Sequence, residues 1–155
     1  MKATALLKKD HESVKRLFSE FEKAGDRAVK SKAALAEKIS AELEVHATIE
    51  QEIFYPSVKA ARSKKAKAIV AEAYEEHKRV KNLLQKLSKM DVNDGPAYSS
   101  AMTELKEHVE HHVEEEEGEM FGDAEEYLGD ERLEELGEQL KERKAELKAQ
   151  VEDDG

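Results

Sequence analysis

The chain contains no cysteine. Disulfides, zinc–thiolate sites and cysteine nucleophiles are therefore excluded, and a reducing compartment is permitted. Helix breakers are scarce, with 7 glycines and 2 prolines in 155 residues. No apolar run approaches the ~20 residues that cross a bilayer. The apolar part of the opening "MKATALLKKD" is too short for a secretory signal. Positive charge is in deficit, since 26 Lys and Arg stand against 36 Asp and Glu, a net charge of −10. That balance disfavours nucleic acid and anionic membrane as partners, because both call for a basic surface. These absences leave a soluble, cytoplasmic protein, long enough to build a core without covalent staples.

What is present is the composition of long helices, rich in Ala, Glu, Lys and Leu. Leu7, His11, Val14, Phe18 and Phe21 recur at helical spacing and predict a helix over about 3–25, ended by "AGDR" at 24–27. A second stripe, Leu35, Ile39, Leu43, His46, Glu50, Ile53 and Phe54, predicts a helix over about 31–63 that Pro56 kinks or tightens. Val70, Ala73, His77, Val80, Leu84 and Leu87 mark a third over about 65–90. After the loop "DVNDGP" at 91–96, a fourth carries Met102, Leu105, Val109, His112 and Glu116, with Gly118 and Gly122 weakening its end. A last segment, about 130–150, has Leu133, Leu136, Leu140 and Leu147 on one stripe, and "VEDDG" reads as a fraying tail. The expected fold is all-α, an antiparallel up-down-up-down four-helix bundle over 1–128 with a C-terminal helical extension and tail over 129–155.

Each of the four stripes holds a histidine where leucine would be expected. His11 and His46 are 35 residues apart, as are His77 and His112, and both His46 and His112 are followed four residues later by a glutamate, Glu50 and Glu116. Adding 66 converts one set into the other, and also takes Val14 to Val80, Ile39 to Leu105, Leu43 to Val109 and the pair Asp10-His11 to Glu76-His77. A helix pair is used twice. One histidine on an apolar stripe is most simply a satisfied core residue, and one H-x-x-x-E pair is a weak signal. Four imidazoles and two carboxylates in a repeat are different. Burying them without partners costs roughly 1–3 kcal/mol per group, against a net stability of ~5–15 kcal/mol for a small domain. A cation compensates most directly.

Residues i and i+4 share a helix face, so His46 with Glu50, and His112 with Glu116, can reach one ion. His11 and His77 add an imidazole from each remaining helix. This nitrogen-rich set suits iron, manganese or zinc, and two facing glutamates can bridge two ions. With about 100° per residue measured from Leu105, His112 and Glu116 point inward, His108 lies on the flank as an optional further ligand, and His111 turns away. Tyr74 and Tyr55 stand near the stripe histidines. Either can serve as a second-layer donor to the metal, although a packing role at the core edge is the simpler reading.

His11, His46-x-x-x-Glu50, His77 and His112-x-x-x-Glu116, with "HATIEQEIFYP" at 46–56 and "EHHVEEEEGEMF" at 110–121, resemble the hemerythrin-like (HHE cation-binding) domain over about residues 3–128. The segment with "ELGEQLKERKAELKA" is similar to the helical extension of bacterial members. The resemblance implies two non-haem iron ions, carboxylate- and oxygen-bridged, with Glu50 and Glu116 bridging and His11, His46, His77 and His112 as terminal ligands. Oxygen-carrying members have a further histidine where Lys81 stands, and H-x-x-x-x-D in place of the second H-x-x-x-E. His108 is the candidate to replace the missing ligand, and Gly122 stands where a proline is common. These departures argue against reversible oxygen transport. The implied protein binds dioxygen or a related small molecule, peroxide or nitric oxide, for storage, scavenging or sensing, as a monomer or weak homo-oligomer. A diiron enzyme consuming peroxide or nitric oxide is the alternative, and a metal-free structural bundle the third reading.

Overall fold

The computed structural model describes residues 1–25, 28–60 and 64–154. Parts of the expected "AGDR" break (26–27), the expected end of the second helix (61–63) and the last tail residue (155) lie outside the described residues. Among the described residues there is helix and no strand. Four helical runs account for nearly all of it. They are α1 (Ala3–Lys23); α2 (Val29–Ile49) continued by a π-helical turn (Glu50–Phe54) into α3 (Tyr55–Ala60); α4 (Lys64–Ser88); and α5 (Gly95–Glu115) continued by a second π-helical turn (Glu116–Met120) into α6 (Phe121–Asp154). The loop before α5 is closed by Asp91, whose carboxylate accepts from the backbone N–H of Asn93 at 2.9 Å. Pro96 then sits in the first turn of α5, where its missing N–H costs nothing.

Two expectations are corrected here. The second helix changes pitch at Glu50, before Pro56, rather than simply kinking at the proline. Pro56 alone does not cause the wide turn, because the 66-residue repeat places Gly122 opposite Pro56 and the same turn forms there. The fourth run loses its α-helical pitch in the π turn that contains Gly118, but it does not end there or at Gly122. A glycine inside a helix costs only about 1 kcal/mol relative to alanine, and the run continues until Gly129, where φ is +79 and the axis breaks. Beyond that break α6 extends to Asp154, through most of the segment expected to fray.

The interior has three layers along the helix axes. One apolar cluster gathers Leu7, Ile49, Phe54, Val70, Phe121 and Leu136. The other gathers Val14, Phe18, Ile39, Leu87, Leu105 and Val109. Between them lies a buried polar layer comprising Asp10, His11, His46, Glu50, Glu76, His77, His112 and Glu116. The apolar stripe of each long helix thus runs on both sides of a short polar interruption, which is how four interrupted stripes come to face one another.

α6 belongs to the same packing. Leu133, Leu136 and Leu140 are almost wholly buried in the first cluster. Lys2 pairs with Asp130 at 2.8 Å, and Arg143 reaches back to Glu52 at 2.7 Å. Gly137 lies under the backbone of Met1 to Ala3, and a Cβ there would overlap the Met1 carbonyl oxygen. No helix among the described residues is long and apolar enough to cross a membrane.

Candidate metal centre

The six residues singled out by the repeat meet in the polar layer. Each glutamate touches a histidine of its own helix and one from the other half of the repeat. Glu50 Oε1 is 3.1 Å from His46 Nε2 and 3.1 Å from His77 Nε2. Glu116 Oε1 is 3.0 Å from His112 Nε2 and 3.3 Å from His11 Nε2. Adding 66 to the Glu50–His46 pair gives the Glu116–His112 pair. The crossed pairs exchange in the same way, so the layer has near two-fold symmetry. His77 and His112 face each other with their Nε2 atoms 3.2 Å apart.

Both π-helical turns open on a centre glutamate. A π turn carries one more residue than an α turn, a feature found mostly where a helix serves a site. Here it turns the following aromatic residue inward. In one half this is Tyr55, whose hydroxyl donates to Glu116 Oε2 at 3.0 Å and lies 3.1 and 3.2 Å from the Nε2 atoms of His77 and His112. Its repeat mate is Phe121, which stacks parallel on His11 with centroids 5.9 Å apart. Tyr74 packs edge-on against the Tyr55 ring at 5.4 Å, and Tyr55 is itself buried in the apolar cluster, so both have the packing role that the sequence suggests, while the Tyr55 hydroxyl also reaches the centre.

Two further carboxylates face the outer nitrogens. Asp10 Oδ2 accepts from His46 Nδ1 at 2.9 Å, and Glu76 Oε1 from His112 Nδ1 at 3.1 Å. With Nδ1 as donor, each ring is fixed with Nε2 turned to the centre, the arrangement that orients and strengthens an imidazole as a ligand. These residues were not among the sequence candidates, although the repeat carries them as Asp10-His11 and Glu76-His77. Asp10 also receives Lys144 of α6 on its other oxygen.

The electrostatics are those of charges held close in a dry layer. Burial alone pulls the His46 imidazolium down, but the Glu50 charge close to its Nε2 and the hydrogen bond to Asp10 overcome it and raise its pKa to about 10. His112 is raised well above the usual imidazole value against the same burial, chiefly by Glu116. Burial pushes the Glu50 carboxyl up, yet His46 and hydrogen bonds from its neighbours hold it well below the ordinary range. Burial, then the charges of Glu50 and Glu116, push the Tyr55 phenol well above its usual value, so it stays a proton donor.

The layer is only partly satisfied by its own contacts. Among the described residues, His11 Nε2, His46 Nε2 and Glu116 Oε1 are buried in close ion-pair contacts without an aligned hydrogen bond, and Glu50 Oε2 is buried without a hydrogen-bond partner. Donor atoms of His11, His46, Glu50 and Glu116 lie within 4.8 Å of one another, as do those of Glu50, His77 and His112. These are two adjoining groups that share Glu50. Imidazole nitrogen with carboxylate oxygen is the chemistry of first-row divalent cations rather than of magnesium or calcium, and the set fits them.

His108 is not brought into either group. It is half-buried one turn before His112, on the flank of α5 rather than its inward face. His111 is exposed, as expected, and lies 3.0 Å from Glu115. A cavity of about 430 Å³ opens beside the four histidines, with Val14, Leu43, Val80, Leu84, Val109 and Val113 among its walls and Lys78 and Lys81 at its border.

This helical bundle and its His/Glu layer define a cation-binding helical protein. Residues 2–124 match the family described as Hemerythrin HHE cation binding domain, and the chain belongs to that family. Among solved structures, the chain is similar to a hemerythrin HHE cation-binding domain-containing protein from Mycobacterium kansasii. The TM-score is 0.84 at 28% identity, covering 97% of this chain and 89% of that one. A curated relative from Nostoc sp. strain PCC 7120, named a DNA nickase, is 25% identical over 146 residues. This chain accounts for 94% of its own length in that match and 40% of the relative's.

Proposed function

We propose that the protein is a non-haem diiron protein that binds dioxygen or a related small molecule, peroxide or nitric oxide, for storage, scavenging or sensing. The observation that carries the reading is the pair of donor groups sharing Glu50, set beside a cavity that reaches the histidines. In this reading the four helical runs form the antiparallel bundle that the family resemblance implies, with 129–155 as its helical extension.

His11, His46, His77 and His112 would hold the irons terminally, and Glu50 and Glu116 would span them, since each already touches histidines from both halves. Two irons would supply electron exchange and a coordination position open to a small ligand. Asp10 and Glu76 keep the Nε2 lone pairs aimed inward. The valine and leucine walls of the cavity admit a small apolar molecule and limit water. Phe121 closes the His11 side with an apolar face. The nicking activity named for the Nostoc relative does not carry over well, because this chain covers 40% of that protein and its charge of −10 opposes a phosphate backbone.

Consumption of peroxide or nitric oxide at the same centre is the second reading. Tyr55 favours it, because its hydroxyl keeps a transferable proton inside the centre, 3.0 Å from Glu116. Anaerobically reduced, iron-loaded protein distinguishes the two. A reversible optical change with dioxygen and no turnover supports binding. Steady gas evolution from peroxide, lost in His112→Ala, supports the enzyme. About two irons per chain are expected. A melting temperature unchanged by exhaustive chelation would return the protein to a metal-free bundle.

A further inference from the structure

The two carboxylates that orient the centre histidines are repeat mates, yet their free oxygens meet different surroundings. Asp10 spends its second oxygen on Lys144. Glu76 is 93% buried by its side-chain exposure of 7%. Its Oε2 has no hydrogen-bond partner among the described residues. That oxygen points to His111, whose Nε2 is 3.8 Å away, and His111 Nε2 is in turn 3.0 Å from Glu115 Oε1. Glu76, His111 and Glu115 each offer a donor atom within 4.8 Å of the others. Glu72, one turn before Glu76, adds its charge at Glu115.

The repeat shows that this grouping is particular to one half. The mates of His111 and Glu115 are Val45 and Ile49, a buried apolar pair. The first half therefore places hydrocarbon and a lysine ammonium around its orienting carboxylate. The second half places an imidazole and another carboxylate there.

We infer that Glu76, His111 and Glu115 form a separate mononuclear site for a divalent first-row transition cation on the outer flank where the middle of α4 meets the C-terminal turn of α5, doing for Glu76 what Lys144 does for Asp10. One imidazole with two carboxylates selects iron(II), manganese(II) or zinc over the all-oxygen preference of magnesium and calcium. His111 is 60% exposed, so the cation keeps water ligands and exchanges with solvent. Glu76 Oε1 accepts from His112 Nδ1. A cation on Oε2 therefore draws charge from that hydrogen bond, and the central pair registers the outer ion without touching it.

The test uses the iron-loaded protein titrated with manganese(II), free ion being counted by its magnetic resonance signal. Wild type should bind one equivalent more than the doubly substituted His111→Ala/Glu115→Gln protein. His111 is exposed, and half-buried Glu115 is replaced by an amide of the same size, so the variant should keep its fold, checked by far-ultraviolet circular dichroism and its melting temperature. Zinc added to the iron-loaded wild type should shift the visible spectrum of the centre, with no shift in the variant. A Glu114→Gln protein, altered at a neighbouring exposed carboxylate, should retain the extra equivalent. Equal manganese binding by wild type and the double variant overturns the site, as does equal loss in Glu114→Gln, which would reveal only a diffuse acidic surface. Failure of the diiron reading would lower the central count in all three proteins and leave their difference intact.

Discussion

Loading the centre with a divalent metal should expel protons, and their number follows from the geometry. The His46 Nε2 atom that a metal needs lies 3.1 Å from Glu50. Its pKa is raised to about 10. At pH 7 the imidazolium then exceeds the neutral ring by ~1000-fold, which weakens apparent metal affinity by about 4 kcal/mol relative to the deprotonated site. His112, raised in the same direction, adds a second proton. Calorimetric titration of the metal-free protein with zinc, in buffers of different ionisation enthalpy, should report about two protons released at pH 7, with log K rising by about two per pH unit. The stability of the metal-free protein should respond with the opposite sign at the two ends of the pH scale. The raised histidines stabilise it fully below their unfolded value of 6.5, and that contribution is lost as pH climbs through the folded value. The depressed Glu50 stabilises it above 4.5, and that contribution is lost as pH falls through its folded value. Metal-free stability should therefore peak between those values. Binding heats independent of buffer, meaning no protons released, would refute the charged layer.

Three more outcomes are expected. Asp10→Asn should lower metal affinity by ~10–100-fold with the fold intact, and Lys144→Met should act in the same direction more weakly; competition with a chromophoric chelator measures both, and unchanged affinity in Asp10→Asn would remove its orienting role. Tyr55→Phe makes the two halves alike at this position, and should change the visible spectrum of the iron-loaded protein while the metal count stays the same; superimposable spectra would place Tyr55 outside the centre. Gly137→Ala gains about 1 kcal/mol in helix propensity, yet it should lower the melting temperature because the new methyl meets the Met1 backbone, overpacking that typically costs ~1–3 kcal/mol; a raised melting temperature would show that the N-terminal residues simply move aside.

The four histidines and two glutamates are legible in sequence because the helical stripe and the 66-residue repeat mark the same positions independently. Tyr55 is not. Counted at about 100° per residue it lies 180° from His46, on the opposite face. The π turn effectively removes one step, which brings it to about 80° and into the layer. No periodicity in a stretch that short announces the extra residue. Asp10 and Glu76 are visible in the repeat, but each lies roughly 60–70° off the centre of its stripe, and only the packing of one helix on another brings that flank to an imidazole. His108 is the converse case. It occupies a flank of α5 that sequence leaves open, and the structure does not bring it to the donors. The contact of Lys144 with Asp10 joins residues 134 apart in the chain, beyond the reach of any local pattern.

The aromatic pair at the two π turns makes the duplicated ligands unequal. The His77–His112 side has a phenol oxygen within 3.2 Å of both ring nitrogens, whereas the His11 side has a hydrocarbon ring stacked on it. Two identical ions entering this centre would therefore find seats of different strength, fill them in sequence rather than together, and differ in how readily each gives up an electron. A mixture of two metals offered to the protein should come to rest as an ordered pair.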